Sequence, residues 1–189
     1  MDVITAIGQR RSIRKFQDKP VPDCLLQQLV SLGRLYASGG NLQPIRFGIV
    51  TGQALREAMF REIRWAMYLP DFVIRQDQQP QAYILLLSER SSKRSVQFDL
   101  GAAATTIMLA ATSQGLGTCC LGAFRESELS RLLQLDDGWK VELVIALGYP
   151  DHESTTVPYT DSPRYTQDAL GNLFVPKHST QDVLIYRDN

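Results

Sequence analysis

Histidine and cysteine are scarce in this chain of 189 residues. His152 and His178 are the only histidines, which leaves little material for a histidine-based metal site or a Ser-His-Asp catalytic triad. The three cysteines, Cys24, Cys119 and Cys120, are too few and too awkwardly spaced for a disulfide scaffold, a metal knuckle or an iron–sulfur cluster. We therefore expect a bound organic cofactor to carry any chemistry, and the cysteine usage favours a reducing cytoplasm.

Net charge is also absent, because 20 basic side chains balance 20 acidic ones. Without an overall charge the chain has no general attraction for nucleic acid or an anionic membrane surface, so any anion site must be local. The hydrophobic fraction of 44% and the charged fraction of 21% are ordinary for a globular protein. We expect one domain over residues 1–189, with a core at 1–150 and a C-terminal extension at 151–189.

The longest stretch without a charged side chain runs from Leu100 to Phe124. Threonine, serine and glutamine interrupt it, so it lacks the roughly 20 consecutive apolar residues that cross a bilayer. The N-terminus also lacks the apolar run and cleavage site of a signal peptide, and no membrane association is expected. The stretch instead predicts a buried helix capped by Asp99, a turn at Gly115, and a short buried strand from Thr118 to Leu121.

Strands and helices alternate along the core. Uniformly apolar runs predict central strands, and apolar residues at helical spacing predict helices that pack on them. The predicted strands are 46–51, 81–88, 118–121 and 140–149, and the predicted helices are 1–9, 23–36, 53–68, 99–113 and 126–135. This pattern indicates a sheet sandwiched between helices, of the α/β or α+β class. The apolar pieces of the extension, 173–177 and 183–186, need cover that a second copy of the chain could provide.

A basic cluster follows the first predicted helix. Arg10, Arg11 and Arg14 supply three guanidiniums, with Lys15 and the Ser12 hydroxyl beside them. Such donors match phosphate oxygens, but charge runs are usually surface features, so the residues alone favour a solvated basic turn.

Two segments have both a structural and a functional interpretation. The loop at 37–44 places a Gly pair next to Asn41 and Gln43, whose carboxamides can read the edge of a heterocyclic ring. The aromatic residues between Trp65 and Phe72 fit packing, or a mobile cover over a pocket.

Five pieces together resemble the nitroreductase-like, FMN-dependent oxidoreductases. Each is unspecific alone, but they occur in the family's order and cover nearly the whole chain. They are Arg10-Arg11-Ser12-Ile13-Arg14, Ser38-Gly39-Gly40-Asn41-Leu42-Gln43-Pro44, Gly115-Leu116-Gly117-Thr118 leading to Leu121-Gly122, Ala146-Leu147-Gly148-Tyr149-Pro150, and Val175-Pro176-Lys177.

The resemblance implies a nitroreductase-like fold, with a mostly antiparallel sheet flanked by helices. It also implies a homodimer that exchanges terminal segments and builds two FMN sites at its interface. On that reading Arg10, Arg11, Ser12 and Arg14 hold the phosphate and ribityl chain. Asn41 and Gln43 reach the flavin from the partner subunit, and Leu121 and Gly122 lie beside the isoalloxazine ring.

The resemblance further places Lys177 and His178 near the phosphate or the ring, with Lys177 as the cation that stabilises charge on the reduced ring. His178 departs from the Lys or Arg that relatives often carry, and a neutral imidazole adds no charge near pH 7.

The implied reaction is a ping-pong transfer of hydride from NADH or NADPH, through FMN, to a nitro compound, a quinone or a similar small-molecule acceptor. An FMN-binding carrier or sensor without turnover, and a flavin-fragmenting or dehalogenating relative, are the alternatives.

Cys119 and Cys120 stand where relatives often carry a larger residue. A wider or more polar pocket would follow from that difference. A reactive thiol is one interpretation, and small apolar packing is the simpler one, since free cysteine is among the most buried residue types.

Overall fold

A four-stranded antiparallel sheet forms the centre of the computed structural model, which describes residues 1–92 and 95–188. The sheet order is β1-β2-β4-β3, so β1 and β3 are its edges. Its strands are β1 (Arg46–Val50), β2 (Ala82–Glu89), β3 (Gly117–Leu121) and β4 (Trp139–Gly148). All three pairings are antiparallel, as expected.

Both faces of the sheet are buried, which explains why β2 and β4 are almost continuously apolar. Successive side chains point to opposite faces, so Ile84 and Ile145 belong to one core and Tyr83 and Val144 to the other. Every residue of β2 except Glu89 is buried. The sheet is thus the middle layer of a three-layer sandwich, and the predicted α+β class is confirmed.

Five helices accompany this sheet. They are α1 (Val3–Gln9), α2 (Asp23–Gly33), α3 (Gln53–Glu62), α4 (Gln97–Ser113) and α5 (Glu126–Leu132). Leu29 of α2 and Ile107 of α4 are fully buried in the first core, and Met59 of α3 and Leu129 of α5 in the second. α1 packs on α4 and presents Val3, Ile4 and Ile7 to the outside.

The charge-free stretch folds as helix, turn and strand, with one correction. The helix α4 begins at Gln97 after Val96, so Asp99 lies in its first turn with 1% of its surface exposed and is not the N-cap. Gly115 has a φ of +75°, the left-handed conformation expected of it. β3 follows directly, one residue earlier than predicted. No helix of the described residues is long and apolar enough to span a bilayer.

Three helices end earlier than predicted. The largest error concerns 53–68, because α3 ends at Glu62. Ile63 forms an isolated bridge with Phe124, and the Arg64 backbone N–H donates to the Ala123 oxygen at 2.8 Å. This long-range pairing overrides the helical spacing of the apolar residues. α2 ends at Gly33 and α5 at Leu132, each three residues early.

The C-terminal extension forms its own three-stranded sheet. It contains β5 (Ser154–Pro158), β6 (Thr166–Gln167) and β7 (Leu173–Lys177), and β5 pairs with β7 in parallel. A short helix, α6 (Thr180–Val183), comes next. Leu173 is fully buried, whereas Val183 to Tyr186 are exposed. Much of the extension therefore folds within its own chain, and exchange of the remaining arm between subunits stays a prediction.

Candidate functional site

The basic segment 10–14 lies against the edge strand β3. Ser12 and Thr118 form an isolated parallel bridge, and the Ile13 N–H donates to the Thr118 oxygen at 2.8 Å. Gly117 permits this approach, because a Cβ atom there would lie 2.8 Å from the Ile13 Cβ. The basic cluster and the charge-free stretch, far apart in sequence, are therefore neighbours within one chain.

Part of the β3 edge is left open. Residues 12–13 cover its beginning, and residues 63–64 cover the segment just beyond its end. Between them no strand of the described residues pairs with the outer edge of 119–122. A cavity of about 320 Å³, here named the edge cavity, opens there and is lined by Arg14, Arg64, Tyr68, Leu121, Gly122 and Tyr165 among others. The uncovered main chain provides directional donors and acceptors for a flat polar ring.

Arg14 brings positive charge to the edge cavity. Its guanidinium carbon lies 4.7 Å from the centroid of the Tyr165 ring, and its Nη1 donates to the Ser12 carbonyl at 3.3 Å. The backbone N–H of Arg14 donates to Nε2 of His152 at 2.9 Å. Main chain, side chain and aromatic face thus fix this residue from three directions.

His152 was not singled out by sequence analysis as a contributor to the site. Because Nε2 accepts from Arg14, the other ring nitrogen carries the proton, and Nδ1 lies 3.0 Å from the Glu153 carbonyl that accepts it. Burial lowers the pKa of His152, and the nearby charges of Lys15 and Arg14 act in the same direction. A neutral imidazole with its proton on Nδ1 therefore makes both of these hydrogen bonds. Its only sequence signal was its position just after the Gly148-Tyr149-Pro150 turn.

A second cavity, named the basic cavity, lies beside Arg10 and Arg11 and has a volume of about 580 Å³. Both arginines are half-buried, which disfavours the fully solvated turn. Nη2 of Arg11 donates to the Gly8 carbonyl at 2.7 Å, while its Nε is buried with no hydrogen-bond partner in the described part of the chain. Burial and the Arg10 charge lower the pKa of Arg11. Glu153 also lines this cavity.

The arginines of the cluster lack compensating anions. Within the described residues no carboxylate lies within ion-pair distance of Arg10, Arg11 or Arg14. Positive charge that is half-buried and unpaired attracts an external anion, and the fork of a guanidinium suits phosphate oxygens. The geometry favours segment 10–14 for the expected local anion site, whose occupation by an anion stays a prediction.

Asn41 and Gln43 lie far from this cluster in the same chain. They precede β1, whose Arg46 pairs with Leu87 at one end of the sheet. The cluster adjoins Gly117, which pairs with Gly148 at the other end. Since Leu87 pairs with Val141, seven residues of β4 separate the two ends, or about 24 Å at roughly 3.4 Å per residue. Asn41 and Gln43 have φ of +54° and +47° and are exposed, so contact with this cluster would need another subunit.

Lys177 and His178 also lie outside both cavities. Lys177 is the last residue of β7 and His178 follows it, with the His178 ring stacked on Tyr159 at a centroid distance of 3.9 Å. Both are exposed. Arg14 and Arg64 line the edge cavity and Lys177 does not. The flavin contacts expected of Lys177 and His178, including the cation role of Lys177, stay predictions.

The two adjacent cysteines belong to the packing. Burial raises the pKa of the Cys119 thiol, and it raises the pKa of Cys120 to about 11. Both thiols are therefore protonated near neutral pH and poorly nucleophilic. This supports the packing interpretation over a reactive cysteine.

The segment from Trp65 to Phe72 combines packing with a cavity wall. Trp65 stacks on Phe60 with centroids 5.2 Å apart and donates its Nε1–H to the Phe60 carbonyl. Met67 and Tyr68, by contrast, line the edge cavity, and Met67 is 79% exposed. Ala66 also lines this cavity but is buried, and a covering role for the segment stays a prediction.

Comparison with known proteins gives a consistent result. The model of the Nitroreductase family matches residues 7–149. A protein of Archaeoglobus fulgidus, named as a candidate NADH dehydrogenase/NAD(P)H nitroreductase, is 27% identical over 176 residues, which cover 89% of this chain and 96% of the relative. A 4-nitrobenzoate reductase of Pseudomonas putida is 23% identical over 209 residues and covers 86% of this chain, with 91% of its own length matched.

Solved structures show the same fold. A structure from Parabacteroides distasonis, named as a candidate NADH dehydrogenase/NAD(P)H nitroreductase, superimposes with a TM-score of 0.69 at 22% identity and covers 99% of this chain and 97% of its own. An FMN- and NADPH-dependent nitroreductase from a sphigopyxis strain gives a TM-score of 0.66 at 21% identity, with 80% and 89% covered. With the family model matching most of the chain, the protein belongs to the nitroreductase family of oxidoreductases.

Proposed function

We propose that this protein is an FMN-dependent oxidoreductase that takes hydride from NADH or NADPH and reduces a nitro compound, a quinone or a similar acceptor in a ping-pong sequence. The observation that carries the proposal is the unpaired arginine cluster beside the open edge of β3. Two relatives support the cofactor and the reaction class, since one is named an FMN- and NADPH-dependent nitroreductase and another a 4-nitrobenzoate reductase.

The residues present fit FMN on physical grounds. A flavin mononucleotide needs positive charge for its phosphate and directional hydrogen bonds for its ring. Among the described residues, Arg10 lines the basic cavity without a carboxylate partner and the buried Nε of Arg11 lacks an acceptor. Leu121 and Gly122 line the edge cavity with the adjacent strand edge uncovered. FMN, when bound, supplies the redox chemistry by accepting and passing on a hydride.

The chain's own groups then bind and orient. Arg10 and Arg11 attract the phosphate, and Ser12 holds segment 10–14 against β3. Arg14 places a fixed positive charge beside the edge cavity, where it stabilises negative charge at low cost in reorganisation. The thiols of Cys119 and Cys120 stay protonated, so neither acts as a nucleophile or a general base.

A homodimer completes the proposed site. Asn41 and Gln43 are too far from the arginine cluster of their own chain and would reach the cofactor from the partner subunit. The exposed apolar residues of α1 and the exposed tail at 183–186 support such an assembly, because both leave hydrophobic surface uncovered in one chain.

The direct experiment is an absorption spectrum of the purified protein, followed by NAD(P)H oxidation with and without an acceptor. We expect a yellow protein that releases FMN on denaturation and consumes NADH or NADPH when a quinone or nitroarene is present. Stopped-flow mixing with NAD(P)H should bleach the bound flavin within seconds, which distinguishes an enzyme from a carrier. A colourless protein that does not bind added FMN would refute the proposal.

A further inference from the structure

The edge cavity carries more positive charge than Arg14 alone. Arg64 also lines it, and the guanidinium of Arg164 lies 5.8 Å from the ring of Tyr68, which forms part of the same wall. Among the described residues, no aspartate or glutamate lines this cavity. The chain as a whole has no net charge, so the edge cavity carries a local excess of positive charge.

The charges of Arg64 and Arg164 are available to a ligand. The backbone N–H of Arg64 donates to Ala123, which fixes the residue next to the cavity, but its guanidinium has no ion-pair partner among the described residues. The neighbouring carboxylate of Glu62 is already held by Arg125, whose Nε lies 2.8 Å from it. Arg164 is exposed, and its guanidinium likewise has no ion-pair partner among the described residues.

Two tyrosines give the cavity an aromatic wall. The rings of Tyr68 and Tyr165 lie with centroids 5.2 Å apart and an interplanar angle of 59°. Tyr68 comes from the loop after α3 and Tyr165 from the C-terminal extension, so two distant segments build this wall. Aromatic faces favour contact with flat rings, and the flanking guanidiniums favour negative charge.

We propose that the physiological acceptor is a planar aromatic anion, whose carboxylate is bound by Arg64 and Arg164 and whose ring contacts Tyr68 and Tyr165. This inference rests on the proposed function, because the acceptor is the molecule reduced at that site. For a nitroarene the first reduction is balanced: the nitro group gains two electrons as hydride from NAD(P)H and takes up one proton. One N–O bond breaks, and the products are the nitroso compound, water and NAD(P)⁺.

The test compares 4-nitrobenzoate with 4-nitrobenzamide, which have nearly the same shape but differ in charge. We expect the intact enzyme to favour the anion about fivefold to tenfold in kcat/KM at low salt, mainly through KM, and the ratio to fall in about 0.5 M salt. Arg64→Gln and Arg164→Gln should each lower the ratio, and the double variant should bring it near one. Arg131→Gln, which removes an exposed guanidinium from α5, should leave it unchanged.

The outcomes separate this inference from the proposed function. Equal kcat/KM for both acceptors in the intact enzyme, or an unchanged ratio in the double variant, would overturn the inference alone. Failure to oxidise NAD(P)H with either acceptor would refute the proposed function instead. In that case calorimetric titration with benzoate and benzamide still tests the arginine pair, and equal binding of the two overturns it. A change in NADPH over NADH preference with an unchanged acceptor ratio would assign the arginines to the donor and contradict the proposal.

Discussion

At the scale of single residues, the site depends on arginines that have no anionic partner in the described chain. Arg10 and Arg14 are the two ends of segment 10–14. Arg10 lines the basic cavity, and Arg14 lines the edge cavity. A bound phosphate or ring would therefore form an ionic contact with these arginines without breaking an existing ion pair.

Arg10→Ala and Arg14→Ala should each weaken FMN binding. A lost charge-assisted hydrogen bond costs about 1.5–3 kcal/mol, which corresponds to roughly tenfold to hundredfold in Kd. Fluorescence titration of the apoprotein with FMN measures the effect, and Arg131→Ala is the control, since its guanidinium pairs with Glu128 on the surface of α5. Unchanged affinity in both site variants would remove the arginines from the cofactor site.

His152 should make stability depend on pH. Its folded pKa lies below the ordinary 6.5, so the unfolded chain binds a proton more readily. The stabilisation is complete above pH 6.5 and is lost as the pH falls through the folded pKa. Urea unfolding between about pH 7.5 and 5 should show this loss in the wild type and a smaller loss in His152→Gln. An equal loss in the wild type and in His152→Gln would contradict the assignment.

At the scale of elements, close packing of segment 10–14 on β3 requires Gly117. An added Cβ would meet three Ile13 atoms at 2.8–2.9 Å. Gly117→Ala should therefore destabilise the protein by about 1–3 kcal/mol, the usual cost of overpacking, and weaken FMN binding as the segment moves away. Gly101→Ala is the matched control, because no atom lies within 4 Å of its added Cβ and alanine favours helix. Chemical denaturation compares the two, and equal stabilities would contradict this packing argument.

Local patterns predicted the elements where one physical constraint dominates. The apolar runs of β2 and β4 have only one suitable place, the middle of a sheet covered on both faces, and Gly115 has the conformation that its position in the turn required. The end of α3 could not be predicted, because it is set by Ile63 pairing with Phe124, a contact across 61 residues of chain. His152 was missed for the same reason, since its partner Arg14 lies 138 residues away.

The site was predictable only in part. The contact between segment 10–14 and the strand after Gly115 forms within one chain. The predicted roles of four other residues depend on surfaces that one chain does not bring together; these residues are Asn41, Gln43, Lys177 and His178. Arg64 and Tyr165 carried no pattern of their own, because a loop and the extension bring them to the cavity. Tyr68 belongs to the aromatic segment for which a cover over a pocket was one of two interpretations.

At the scale of the whole molecule, α1 leaves a hydrophobic surface for a second chain. Val3, Ile4 and Ile7 are 65%, 78% and 58% exposed. We expect a dimer at micromolar concentration, and Ile4→Glu should shift it toward monomer while the far-UV circular dichroism stays the same. Light scattering measures the molar mass in solution and so distinguishes a dimer from a monomer. Val73→Glu, at an equally exposed apolar residue in the loop before β2, is the control. A wild-type monomer would be incompatible with an interfacial site.

The uncovered length of β3 also bears on how the protein behaves in solution. A strand edge with free main-chain groups can template pairing with another such edge, which is a route to aggregation. Here the exposed length is short and bounded by covering segments at 12–13 and 63–64. A ligand seated against it would remove that template, so preparations saturated with FMN should resist heat-induced turbidity better than stripped protein.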